Sequence, residues 1–496
     1  MLKMPEPSAD ALRNFPRALG ALRAILPDTS IISTREELRA YECDALTAYR
    51  QTPLAVLLPE SAQQISRILG VCAAEGINIV PRGAGTSLSG GSLPLADGVV
   101  IGLSKLNRIL DIDFHNRTVT AQSGVSNLAI THAVQARGYF YAPDPSSQIV
   151  CSIGGNLAEN SGGVHCLKYG LTTNNVLGAE VVLPGGEIVR VGGKRLEHDV
   201  YDLLGVLTGS EGLLGIVTEV TVRILPKPER AAALLAAFDS IEAAGACVAA
   251  IIGRGVIPAG MEIMDRVTTN AAEDYCGVGY PRDAEAVLIL EIDGSESEIA
   301  EELGEVRAAA DGCGAKSVTE ARDEATRVRL WAGRKAAFSA VGRLAPDYYC
   351  VDGTIPRREL ASVLARMREL ARAHGLEVAN VFHAGDGNLH PLILYDANVP
   401  GQLEKAEALG ADILRLCVER GGVLTGEHGV GVEKRDLMGT MFSEVDLAQQ
   451  QRVKCAFDPD GRLNPGKVFP VLHRCAELGR VHVHAGRTRF AELPRF

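Results

Sequence analysis

Two glycine-rich segments carry the residues best placed for chemistry. FHAGDGNLHPLIL (382–394) sets His383 and His390 on either side of a Gly385-Asp386-Gly387-Asn388 turn. Strands flanking such a turn bring two imidazoles together, as a hairpin-borne metal site needs. GGVLTGEHGVG (421–431) adds Glu427, a hard oxygen donor, with His428 beside it. Two imidazoles and one carboxylate with an open position suit Zn²⁺, Mn²⁺ or Fe²⁺. A lone histidine is more often structural, but several packed into two glycine loops argue for a working site. A hydrolytic metal centre fits less well, because no HExxH helix is present and the glycine loops upstream go unexplained.

Those loops point to phosphates. PRGAGTSLSGG (81–91) places Gly83, Gly85, Gly90 and Gly91 around Thr86, Ser87 and Ser89, a stretch whose backbone N–H groups can face an anion. It has neither GxGxxG spacing nor the Gly-Lys-Ser/Thr of a Walker loop. PDPSSQIVCSIGGNLAENSGG (143–163) and TGSEGLLGIVTEVTVRI (208–224) repeat the chemistry. Three separated small-residue loops imply one long ligand lined by backbone, and a flavin dinucleotide is such a ligand. The predicted helix 322–339 offers Arg334 and Lys335 beside Trp331, although a solvated charge is an equal reading for Lys335.

The elements that must position these residues are alternating α and β. Residues 1–50 read as a helical arm. LAVLLP (54–59) predicts a buried strand, 61–76 an amphipathic helix capped by Ser61, and INIVPRG (77–83) a strand entering the first loop. Strands follow at 98–103, 109–113 and 117–123, a helix near 127–137, and a hairpin over 178–191 turning at Gly-Gly. Two prolines at 226 and 228 mark a boundary. Beyond it, helices at 239–252, 295–311 and 357–374 and strands at 286–292 and 348–355 suggest a split βαβ unit. The expected organisation is an arm (1–50), a cofactor-binding domain (51–228), a substrate, cap and metal-site domain (229–470) and a surface tail (471–496).

The 496 residues are too many for one ordinary core. A net charge of −11 with no basic stripe argues against a nucleic-acid partner. Eleven cysteines, scattered without a CxxC pair, suit reduced thiols in a cytoplasmic compartment and exclude a self-contained iron–sulfur cluster. The N-terminus lacks a signal-like h-region, and the most apolar stretch, Ala231 to Phe238, is too short to span a bilayer.

PRGAGTSLSGG together with CSIGGNLAENSGG resembles flavoproteins of the vanillyl-alcohol oxidase type with an FAD-linked oxidase C-terminal domain, over roughly residues 50–470. The resemblance implies an α/β (α+β) fold: a two-subdomain FAD-binding domain followed by a ferredoxin-like cap. It implies FAD lined by Pro81, Arg82, Gly83, Ala84, Gly85, Thr86, Ser87, Gly90, Pro143, Ser152, Ile153, Gly154, Gly155 and Ile216, with Asn464 of NPGKVF approaching the flavin. Thr86 and Ser87 stand where some relatives carry a flavin-linking histidine, so noncovalent FAD is expected.

The His-x-Gly-Asp-Gly-Asn-x-His and Gly-Glu-His-Gly motifs resemble the site of D-2-hydroxy-acid dehydrogenases. There His383, His390 and Glu427 would ligate a divalent metal and His428 would face the substrate α-carbon. The same resemblance favours Arg334 for the substrate carboxylate. Leu392 stands where relatives acting on longer diacids carry Asn, which points to a smaller substrate. DYYCVDGTIP (347–356) is similar to the glycolate oxidase flavin-subunit branch; D-lactate and D-2-hydroxyglutarate dehydrogenases are related.

The expected reaction is oxidation of a small 2-hydroxy acid, glycolate foremost and D-lactate next. The metal would acidify the hydroxyl, His428 would take its proton, and hydride would pass to flavin N5. A flavin-binding subunit whose chemistry lies in another polypeptide is the competing expectation. With no cluster or haem motif of its own, the chain is expected to pass electrons to iron–sulfur and second flavin subunits, and to reach the inner membrane peripherally through a partner.

Overall fold

The computed structural model describes residues 4–195, 201–321 and 323–470, so the expected tail lies outside the described residues. Among the described residues, the first 230 build two main sheets and a two-stranded pair, Tyr139–Phe140 with Leu225–Pro226. In one, the strands Ala55–Leu57, Gly98–Gly102 and Asn78–Arg82 run parallel. Helix Ala62–Glu75 crosses over between Ala55–Leu57 and Asn78–Arg82; Ser61 caps it by accepting the Gln64 N–H, and Gly76 ends it in left-handed backbone. The arm is not helical throughout. After helix Ala9–Arg23 the chain extends, and Ile31–Ile32 pairs antiparallel with Ala55–Leu57 as the edge strand.

The second sheet is antiparallel and five-stranded, in the order Ile109–Asp113, Thr118–Gln122, Ile216–Arg223, Val176–Val182, Ile188–Gly192. The first glycine loop leaves the end of Asn78–Arg82, and the third precedes Ile216–Arg223. Both sheets therefore deliver glycine turns to one cleft.

The remaining chain forms an antiparallel sheet in the order Ser317–Ala321, Arg230–Phe238, Ala286–Gly294, Gly260–Asp265 and then Glu377–His383. The first four of these are fourth, first, third and second in chain order, the arrangement of a split βαβ pair. Arg230–Phe238 contains the apolar run noted in the sequence. Helices cover both faces of the sheet, so successive side chains enter different cores. Leu234, Ala236 and Phe238 join one cluster; Ala233, Leu235 and Ala237 join the other. A strand buried on both faces loses its polar alternation. The predicted strand 348–355 is two short pieces, Asp347–Cys350 and Gly353–Thr354, with Asp352 between them. Among the described residues no helix is long and apolar enough to cross a membrane.

Candidate active site

The cleft between the two halves is a cavity of about 230 Å³. Pro81, Arg82, Gly83, Ala84, Gly85, Thr86, Ser87, Ser152, Gly154, Gly155 and Ile216 line it from one side. Arg334, His383, His390, Glu427 and His428 line it from the other. The glycines of the first wall are steric necessities. A Cβ on Gly83 would stand 2.5 Å from Ser152 Oγ, and one on Gly154 the same distance from Ser123 Cβ. Ser152 Oγ accepts the Gly155 N–H at 3.3 Å and so caps helix Ile153–Glu159. A backbone-lined groove of this kind fits a flavin dinucleotide.

Four expected cofactor contacts stand outside this lining. Gly90 packs toward Val432 and Leu46, and Ile153 belongs to a hydrophobic core. The Pro143 carbonyl accepts from Asn127 Nδ2 at 3.0 Å. Asn464 is buried and donates to the Gly91 and Glu211 carbonyls at 3.0 and 2.8 Å, which ties two loops together from behind. Leu392 likewise points into the core rather than the cavity.

His383 ends strand Glu377–His383 and pairs in register with Asn388 across the glycine turn; His390 follows two residues later. Their rings lie 5.0 Å apart and nearly perpendicular. Nε2 of His383 and of His390 approach the same oxygen, Glu427 Oε1, at 3.3 and 3.1 Å. The three ligand atoms fall within 4.8 Å of one another, a spacing that fits a divalent cation. His383 Nδ1 meets Glu262 Oε1 at 2.5 Å, so its outer nitrogen is fixed while Nε2 faces inward.

His428 stacks on His390 with ring centroids 4.8 Å apart. Burial pushes its pKa down to about 4 despite the opposing charge of Asp352, so the imidazole is neutral and able to accept a proton. The backbone around it hangs on Asp352, which accepts from the Thr425 hydroxyl at 2.5 Å and the Gly426 and His428 N–H groups at 3.1 and 2.8 Å. Burial opposes the charge of Asp352, yet its carboxyl is held below the ordinary range, with the buried Lys434 ammonium facing it at 3.8 Å.

Arg334 is almost wholly buried and donates from Nε to Glu262 Oε2 at 2.7 Å. One carboxylate therefore anchors the guanidinium with one oxygen and His383 with the other. Lys335, the next residue, is exposed and lines a separate surface pocket with Trp331. Glu262 and Asp352 were not foreseen from the sequence. Their signal was a carboxylate inside an apolar strand, GMEIMD, and one following YYCV: charges that burial tolerates only when paired.

The comparisons define the class, an FAD-dependent oxidoreductase with a vanillyl-alcohol-oxidase-type fold. Likeness to solved structures carries the fold. p-Cresol methylhydroxylase with substrate bound matches at TM-score 0.80 and 17% identity, over 93% of this chain and 98% of that one. A 4-ethylphenol oxidase from Gulosibacter chungangensis matches at 0.77 and 19%, over 94% and 98%. Residues 53–192 match the FAD binding domain model and 227–468 that of the FAD linked oxidases, C-terminal domain. The chain is 55% identical to the glycolate oxidase subunit GlcD of Escherichia coli (strain K12), over 96% of each chain. It is 42% identical to the GlcD subunit of Bacillus subtilis (strain 168), over 86% of this chain and 92% of that one. To a D-lactate dehydrogenase of Archaeoglobus fulgidus it is 33% identical, over 84% and 91%. The chain belongs to the FAD-linked oxidase family that includes the GlcD subunits.

Proposed function

We propose that this chain is an FAD-dependent oxidoreductase that converts a small 2-hydroxy acid, glycolate foremost, to the 2-oxo acid. One observation carries the reading: a buried guanidinium, a neutral imidazole and a convergent His/His/Glu set face the same glycine-lined cofactor cavity. The relatives named for glycolate and D-lactate support the substrate class. Arg334, held by Glu262, presents a planar cation to the substrate carboxylate. His428 takes the hydroxyl proton at its imidazole, and its backbone stays fixed through Asp352. His383, His390 and Glu427 would hold a divalent metal, which supplies Lewis acidity toward the substrate oxygen. FAD, held without a covalent bond along 81–87 and 152–155, supplies the two-electron acceptor.

Relatives named as subunits support a further part of the proposal. The chain works with iron–sulfur and second flavin subunits, which take its electrons and bring it to the inner membrane peripherally. Anaerobic titration of the purified yellow protein with glycolate, both lactates and D-2-hydroxyglutarate tests the whole. Glycolate should bleach the flavin at the lowest concentration. Bleaching only by D-lactate would move the substrate, and bleaching by none would leave a flavin-binding subunit without its own chemistry.

A further inference from the structure

Two carboxyl groups in the cavity wall have no part in the reaction above. Glu159 ends helix Ile153–Glu159, Glu211 lies in the turn before strand Ile216–Arg223, and both line the cavity. They meet at the backbone just after His428. A Cβ built on Gly429 would stand 3.0 Å from Glu211 Oε1 and nearer still to Glu159 Oε2.

The two carboxyls are not equivalent. Glu211 is hydrogen-bonded at both oxygens, since Oε1 accepts the Val430 N–H and Oε2 the Gly431 N–H, each at 2.7 Å. It does this from left-handed backbone, φ +51°, which a residue with a Cβ adopts only when its surroundings insist. Two N–H groups, one on each oxygen, are what an ionised carboxylate needs. Glu159 Oε2 is buried with no hydrogen-bond partner. A second buried anion beside the first is strongly disfavoured, and of two carboxyls sharing a site one keeps its proton.

We propose that Glu159 and Glu211 hold a single proton between them, with Glu159 the neutral acid that donates a hydrogen bond to the electron-rich, reduced flavin. This rests on FAD occupying the cavity as read above. Of the other groups facing the pair, the cations favour ionisation of one carboxyl and the anion Asp44 favours keeping the proton on Glu159. Lys434 is engaged with Glu433 and donates to the Gly429 carbonyl at 2.9 Å. Asp44 adds negative charge toward Glu159, Lys467 adds positive charge toward Glu211, and the Ser87 hydroxyl is within hydrogen-bonding reach of Glu159. Burial raises the pKa of both carboxyls, and repulsion from Glu211 raises Glu159 further.

The test is the midpoint potential of the bound flavin across pH in the purified holoprotein, beside its infrared difference spectrum. In the wild type the potential should fall where Glu159 ionises, and a protonated-carboxyl C=O band should be present. Glu159→Gln keeps a neutral donor, so it should hold the wild-type potential, lose the pH break and lose the band. Glu159→Ala should lower the potential at every pH. A yellow wild type without the band, or a Gln variant that shifts as far as the Ala variant, overturns the proposal alone. A wild type that carries no flavin overturns the reading beneath it as well.

Discussion

The two walls of the cavity solve opposite problems. The wall built by 81–87, 152–155 and 210–216 works by leaving side chains out, so that backbone can approach a long ligand. The opposing wall crowds in charge, and each charge has a named partner: Glu262 for Arg334 and His383, Asp352 for the segment bearing His428. The proposed function thus delegates binding to shape and chemistry to paired side chains. Substitutions in the first wall should change how much flavin is held; those in the second should change what the held flavin does.

The largest effect that contrast predicts is at His390. His390→Ala should lower turnover by roughly a thousandfold or more, since metal assistance contributes several kcal/mol to such steps. Its flavin spectrum should stay intact, and metal analysis should show the loss. Full activity in metal-stripped wild type would break the division between the walls. Arg334→Ala should cost about 2–5 kcal/mol in kcat/KM, because it leaves both the substrate carboxylate and buried Glu262 without their cation. Lysine should restore little of this, as it lacks the planar fork.

On the other wall, Gly154→Ala would force a methyl to 2.5 Å from Ser123 Cβ and 3.0 Å from its carbonyl oxygen. Overpacking of this kind costs about 1–3 kcal/mol. Flavin occupancy and Tm should fall, while kcat per bound flavin stays near wild type.

Away from the cavity, His165 links the two halves of the molecule, lying 2.8 Å from Asp144 Oδ2 and 3.5 Å from Glu291 Oε1. Burial opposes its charge, but the two carboxylates outweigh it and raise the pKa to about 10. The folded value exceeds the unfolded one of about 6.5, so the stabilisation is complete below that pH and fades as pH rises toward 10. Tm should therefore decline more steeply from neutral to alkaline pH in the wild type than in His165→Gln. The smallest effect belongs to exposed Lys335. Lys335→Ala should alter kcat/KM by no more than about 0.5 kcal/mol, as surface changes usually do. A large loss there would move the carboxylate partner off Arg334.

What could be read from sequence follows the same contrast. Glycine loops and the His-x-Gly-Asp-Gly-Asn-x-His turn are local, so their spacing carries their geometry. The partners that make the charged wall workable are remote. Glu262 lies 121 positions from His383 and 72 from Arg334, and no local pattern connects them. Strand Arg230–Phe238 escaped recognition because burial on both faces erased its alternation. Gly90, Ile153, Pro143 and Asn464 belong to motifs that surround the cavity, yet a motif does not say which of its members turns toward the ligand. Asn464 spends its amide on two loop carbonyls instead.

That last contact has a consequence for how the molecule is made. Leu463 pairs with Ile79, and Asn464 reaches Gly91 across 373 positions of chain. The back of the first glycine loop is thus sealed by the last residues of the C-terminal domain, translated after nearly all of it. On the ribosome, the sheet around Asn78–Arg82 can form early, but its loops stay unbraced until residues near 464 emerge. Cofactor capture is then a late event in biosynthesis, and a nascent chain stalled before that point should hold flavin poorly even with its whole FAD binding segment already exposed.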